Sequence, residues 1–110
     1  MQDVIFREEY NPYTKEWGFL AVFPEDPARK GYICVLPFCF RGDTPWFESL
    51  DEADISYVLS KKIVHKNDER VPKLLEALEK YCDDTFRVVE KITDAHRRTQ
   101  NEIRREIEEE

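Results

Sequence analysis

Three cysteines, Cys34, Cys39 and Cys82, and two histidines, His65 and His96, are the residues best suited to metal ligation or nucleophilic chemistry. Cys34 and Cys39 lie five positions apart in "YICVLPFCF", an apolar run whose β-branched and aromatic content reads as a strand. Side chains alternate across a strand, so an odd spacing sends the two thiols to opposite faces unless Pro37 inserts a bulge. Zinc-binding cysteine pairs sit closer, about two to four residues apart, on turns. The expectation is cysteines that act as small hydrophobes, with no metal and no cofactor. A cysteine nucleophile with His65 or His96 as base has no local sequence signature.

Other catalytic patterns fail more simply. Gly18, Gly31 and Gly42 are too sparse for a phosphate-cradling loop, and H-E-x-x-H, G-x-S-x-G and EF-hand spacings do not occur. Asp83 and Asp84 are adjacent on an expected helix, where neighbours diverge by about 100° rather than converge on a substrate.

Charge carries more information. The chain has 17 Lys and Arg against 24 Asp and Glu, a net charge of −7, which opposes direct binding of nucleic acid through its phosphates. From Gly42 to Ser60 there are five acids and no base; from Lys61 to Lys73 there are five bases and two acids. Two readings account for that step. Acids in the first turn and lysines in the last turn of a helix complement its macrodipole. Alternatively, the acids form a docking surface for a protein partner. Trp46 and Phe47 share the ambiguity: they either staple a helix start against the sheet or stand out as anchors of an interface. The candidate partner-binding set is Asp43, Trp46, Phe47, Glu48, Asp51 and Asp54.

The elements that must position these residues follow from periodicity. "DVIFREEY" alternates, "NPYTKE" supplies a turn, and "WGFLAVF" and "YICVLPFCF" are short apolar runs bounded by turn residues. They predict a three- or four-stranded antiparallel meander over about residues 3–41, with Pro37 marking an edge or a bulge. The period then changes to 3.6. Ser49-Leu50-Asp51-Glu52 has the form of a capping box, which predicts a helix over about residues 50–64. Val71, Leu74, Leu75, Leu78, Tyr81, Cys82, Phe86, Val89 and Ile92 form one stripe of a second helix over about residues 70–107. The fold class is α+β: one domain over residues 1–95 and a polar, charged helical tail over 96–110. Leu75, Cys82, Val89, His96 and Ile103 fall seven apart, a register through which the C-terminal helix could pair with a second copy.

The longest purely apolar stretch, "GFLAVF", is far shorter than the roughly 20 residues of a membrane helix. "MQDVIFREEY" lacks the charged and apolar regions of a secretory leader, so the cytoplasm is the expected location.

The runs "VIFR", "LAVFPEDP" and "GYICV", within about the first 35 residues, resemble the start of a group of small proteins from phages and mobile genetic elements. The Gly-Gln-His run of that group's next strand is replaced here by "LPFCFRG". The resemblance implies a genomic setting and carries no functional residues. With the acidic charge, it leads to the expectation of a non-enzymatic protein-binding module. Such a module would be an accessory protein that inhibits or redirects a host defence or nucleic-acid-processing protein. The alternative is a small enzyme or ligand-binding protein with a pocket between sheet and helices, using Cys34, Cys39 or His65.

Overall fold

A computed structural model describes residues 1–13 and 15–109. The alternating and apolar runs form three long strands, β1 (Gln2–Asn11), β2 (Glu16–Phe23) and β3 (Tyr32–Arg41), joined as an antiparallel meander. Their near-continuous apolar character has a direct cause: both faces of the sheet are covered. Val4, Phe6, Ala21, Phe23, Leu36 and Phe38 pack on one face, while Ile5, Leu20, Val22, Ile33 and Val35 pack on the other.

Each outer edge of the meander is completed by two short strands placed end to end. Along β3 these are β4 (Thr44–Phe47) and β5 (Asp51–Asp54); along β1 they are β6 (Lys62–Ile63) and β7 (Phe86–Val88), the last of them parallel to β1. The result is a curled mixed sheet with more strands than the periodicity predicts. Pro37 marks neither the end of β3 nor a free edge. It lies where β3 changes partner, between Val35 opposite Asp51 and Phe38 opposite Phe47, and its carbonyl accepts a hydrogen bond from the Glu48 amide at 2.9 Å. A residue without an N–H is tolerated at such a break in the ladder. Gly42, at φ +63°, supplies the left-handed residue of the two-residue turn between β3 and β4.

The helix expected over residues 50–64 is replaced by β5, a five-residue helix, α1 (Ile55–Leu59), and β6. The capping box is not used. Asp51–Asp54 pairs with Tyr32–Val35 of β3, and the helix is capped instead by Asp54, whose carboxylate accepts from the Ser56 amide at 2.9 Å. Pairing along an open strand edge satisfied these backbone groups better than one local cap.

The helix expected over residues 70–107 is likewise divided. The second helix, α2 (Val71–Cys82), ends at Asp83 in the left-handed conformation, φ 52° and ψ 48°, with its amide bonded to the Glu79 carbonyl. The chain then enters β7, which carries Phe86 into the core beside Phe23, while Val89 and Ile92 pack on the opposite face. The apolar stripe therefore serves two faces of one sheet, and the seven-residue register from Leu75 to Ile103 is interrupted at Asp83.

The last helix, α3 (Asp94–Glu109), is capped by Thr93 and His96 reciprocally. The His96 amide donates to Thr93 Oγ1 at 3.3 Å and the Thr93 amide to His96 Nδ1 at 3.0 Å. His96 and Gln100 are buried, and the Gln100 side-chain amide donates to the Pro24 carbonyl, so the first turns of α3 dock on the sheet. Among the described residues, no helix is long and apolar enough to cross a membrane.

Candidate functional site

Beyond the covered part of the sheet, register brings one row of residues to the face shared with α1. Glu9 of β1 lies opposite Gly18 of β2, and Cys39 of β3 lies opposite Trp46 of β4. A Cβ built on Gly18 would lie 3.8 Å from Cys39 Cβ and 3.3 Å from the Phe38 carbonyl oxygen. At Gly18 neighbouring backbone approaches too closely for a side chain to fit without displacing it, and the row Glu9, Gly18, Cys39, Trp46 runs across the sheet with bare backbone at its second position. Isolated glycines inside strands commonly mark such places of close approach.

Above this row is a cleft of about 470 Å³, within the roughly 300–1,000 Å³ of small-ligand sites. Tyr57 of α1 forms one wall, its hydroxyl donating to Glu9 Oε1 at 2.5 Å, with Lys61 Nζ 3.3 Å from the same oxygen. Trp46, 52% exposed, forms the other, and the Arg41 guanidinium lies 4.3 Å from its ring centroid. Glu16 and Glu48 complete the rim and form no ion pair among the described residues. Tyr13, 94% exposed, stands at the tip of the β1–β2 hairpin. The arrangement can hold a cation with apolar flanks: aromatic rings offer their faces, and carboxylates offer charge.

The opposite face of the same hairpins is also aromatic, but its cations are already neutralised. Tyr10 and Trp17 pack at 5.4 Å, Lys62 lies 5.8 Å from the Trp17 ring, and Arg70 lies 5.7 Å from Phe19. Arg70 bonds Glu8 and Asp68, Lys62 pairs with Glu8 at 3.5 Å, and Lys73 pairs with Asp43 at 3.1 Å. The Arg70 guanidinium holds the Asp68 carboxyl down to about 2. Bases engaged in this way have little capacity left for phosphates.

The six residues expected to bind a partner are not gathered into one surface. Trp46 and Glu48 meet at the cleft. Phe47 points the other way, stacked between Phe38 at 5.0 Å and Tyr81 at 4.1 Å, so it packs against the core. Asp43 sits at the β3–β4 turn against Lys73. The Asp51 carboxylate accepts from the Glu52 amide at 2.8 Å, and Asp54 caps α1, its pKa lowered by the bonds from Ser56. Trp46 does not staple a helix start, because α1 begins only at Ile55.

The cysteines do not converge. Cys34 is buried on the α2 face, its Sγ donating to the Pro27 carbonyl at 3.2 Å, and burial pushes its thiol up to about 11. Cys39 lies on the opposite face beside Gly18, and His65 is exposed beside Glu90 at 3.3 Å. A smaller cavity of about 250 Å³ between Phe23, Leu36, Tyr81 and Phe86 is bordered by Cys82 and by neither Cys34, Cys39 nor His65.

Asp3, Glu25 and His96 place three donor atoms within 4.8 Å of one another, a spacing compatible with a metal ion. The hydrogen bonds argue otherwise. Because Nδ1 of His96 accepts from the Thr93 amide, the ring proton resides on Nε2 and is donated to Asp3 Oδ2 at 2.7 Å. A neutral imidazole has one lone pair, and here it is taken. The Arg87 guanidinium, 2.8 Å from Asp3 Oδ1, adds a positive charge where a cation would sit. This cluster fits a structural latch better than a metal centre.

No protein-family model, curated protein or solved structure matches the chain.

Glu9, Gly18, Arg41 and Tyr57 are the site residues that sequence reasoning missed. The isolated glycine in "WGFLAVF" was the available signal. Tyr57 and Glu9 lie 48 positions apart and meet only through the sheet.

Proposed function

We propose that this chain is a non-enzymatic protein-binding module that docks a partner through the cleft between Trp46 and Tyr57. The observation that carries the reading is a half-exposed tryptophan standing over an open cleft whose rim acids Glu16 and Glu48 form no ion pair among the described residues. Tryptophan is the residue type most often found at the energetic centre of interfaces. Rim carboxylates would steer a basic partner surface toward it. The resemblance of the first 35 residues supports the further reading of a phage or mobile-element accessory protein acting in the host cytoplasm on a defence or nucleic-acid-processing protein.

The test uses the full chain. Wild type and Trp46→Ala are used for affinity capture from the host, the captured protein is identified by mass spectrometry, and binding is remeasured with that protein purified. The expected result is that Trp46→Ala loses binding of the purified partner while keeping a cooperative melt close to that of wild type. Equal binding by wild type and Trp46→Ala would remove the cleft from the function.

A further inference from the structure

Of the described residues lining the cleft, Arg41 alone is basic, against Glu9, Glu16 and Glu48. Its guanidinium forms no ion pair among the described residues, although carboxylates border the same cleft. It lies instead over the Trp46 indole, 4.3 Å from the ring centroid. The backbone explains how it gets there: Arg41 ends β3 opposite Thr44, so its side chain and that of Trp46, two positions along β4, leave the sheet on the same face. A planar cation stacked on an indole, with unpaired carboxylates nearby, is the way aromatic sites hold guanidinium groups.

Resting on the reading of the cleft as a docking site, we propose that Arg41 is a self-supplied occupant. It covers the face of Trp46 that an arginine side chain of the partner takes, and docking displaces it. The incoming guanidinium gains the ring and the acids of the rim, which provide both the stacking surface and the fork-shaped acceptors that suit arginine better than lysine. Arg41 opposes this twice, by occupying the ring and by like charge. Its removal must therefore tighten binding of a cationic segment and weaken binding of an anionic one.

The probe is a blocked Gly-Gly-Arg-Gly-Gly peptide, titrated into the isotope-labelled full chain while the Trp46 indole N–H and the Gly18 amide are followed by NMR. Matching peptides with Lys or Glu in place of Arg are the comparisons. Saturable shifts at both signals are expected with the arginine peptide, smaller ones with lysine and none with glutamate. Arg41→Ala should lower the dissociation constant roughly two- to fivefold, the range of an exposed cation–π contact, and Trp46→Ala should abolish the shift at Gly18. Arg41 is exposed, so unchanged melting of Arg41→Ala verifies that the fold is intact. Weaker or equal binding by Arg41→Ala, saturable binding of the glutamate peptide, or no binding of the arginine peptide to either protein would overturn the proposal. If the arginine peptide fails while Trp46→Ala still loses the purified partner, the docking reading stands and this inference falls. If Trp46→Ala binds that partner normally, the docking reading falls as well.

Discussion

Asp3 and His96, 93 positions apart in sequence, share a 2.7 Å hydrogen bond that fastens the first strand to the last helix. Both residues are buried, and Arg87 completes the group at 2.8 Å from the other Asp3 oxygen. The Arg87 hydrogen bond is the main cause that lowers the Asp3 pKa, outweighing the opposing effect of burial, with His96 adding to it. A carboxyl depressed in the folded state stabilises the fold above its unfolded pKa, near 4, and loses that contribution as pH falls through the folded value. Urea titrations at about pH 7 and about pH 3 should therefore show a smaller acid-induced loss in Asp3→Asn than in wild type. Equal losses would remove Asp3 from the acid response.

Truncation separates the docked part of α3 from the rest. Ending the chain after Ile92 removes His96 and Gln100, and with them one of the two side-chain partners of Asp3, whose bond to Arg87 remains, and the partner of the Pro24 carbonyl. A lost hydrogen bond of this kind costs about 0.5–1.5 kcal/mol net, and about 1.5–3 kcal/mol where one partner is charged. Thermal melts should show a clear drop for this truncation and a much smaller one for a chain ending after Ile103. Equal melting temperatures for the two truncations would show that α3 does not hold the sheet.

Arg7 is a buried cation without a carboxylate partner among the described residues. It is 4% exposed, it donates to the Lys61 and Glu90 carbonyls at 3.3 Å each, and its Nε makes no hydrogen bond. Burial lowers its pKa, a sign that the charged form is disfavoured there. Replacing buried ionic groups by apolar residues of similar volume is often neutral or stabilising, by about 1–4 kcal/mol. Arg7→Met should therefore match or exceed wild-type stability in urea, whereas Arg7→Ala, which leaves a void, should fall below it. An unstable Met variant would show that the two carbonyl bonds outweigh the cost of burying the charge.

Trp46 and Phe47 are neighbours with opposite duties. Phe47→Ala removes a ring stacked between Phe38 and Tyr81 and should cost about 3–5 kcal/mol, the range of a large-to-small change in a packed site, reduced by the partial exposure of Phe47. Trp46→Ala should cost far less, because its ring is half exposed and contacts the exposed Arg41. Chemical denaturation of both variants checks the order, and a larger loss in Trp46→Ala would place Trp46 in the core.

The meander was legible because alternation and turn residues are local signals, and these strands have both. The second half was harder to read for reasons that can be named. The Ser49–Glu52 pattern does encode a helix start, but β3 offered an open edge to the same backbone, and tertiary pairing won. The stripe from Val71 to Ile92 keeps a helical period across the break at Asp83, because its last members contact the other face of the sheet. The opposed orientation of Cys34 and Cys39 followed from parity alone. The cleft was only half visible: Trp46 and Glu48 could be selected by residue type, whereas Glu9, Gly18 and Tyr57 join them through registers that no short window of sequence contains.

The two short strands placed end to end along each side of the sheet have a consequence for solubility. A long, flat edge offers a continuous row of backbone donors and acceptors, on which a second chain can grow a sheet of its own. Here β4 and β5 each contribute four residues, β6 two and β7 three, and Pro45 lacks an N–H within β4. Glu52 and Asp54 add charge along β5. An interrupted border of this kind offers a stray strand few consecutive bonds, which disfavours sheet growth through the edges of a chain that displays Tyr13, Trp17 and Trp46 at its surface.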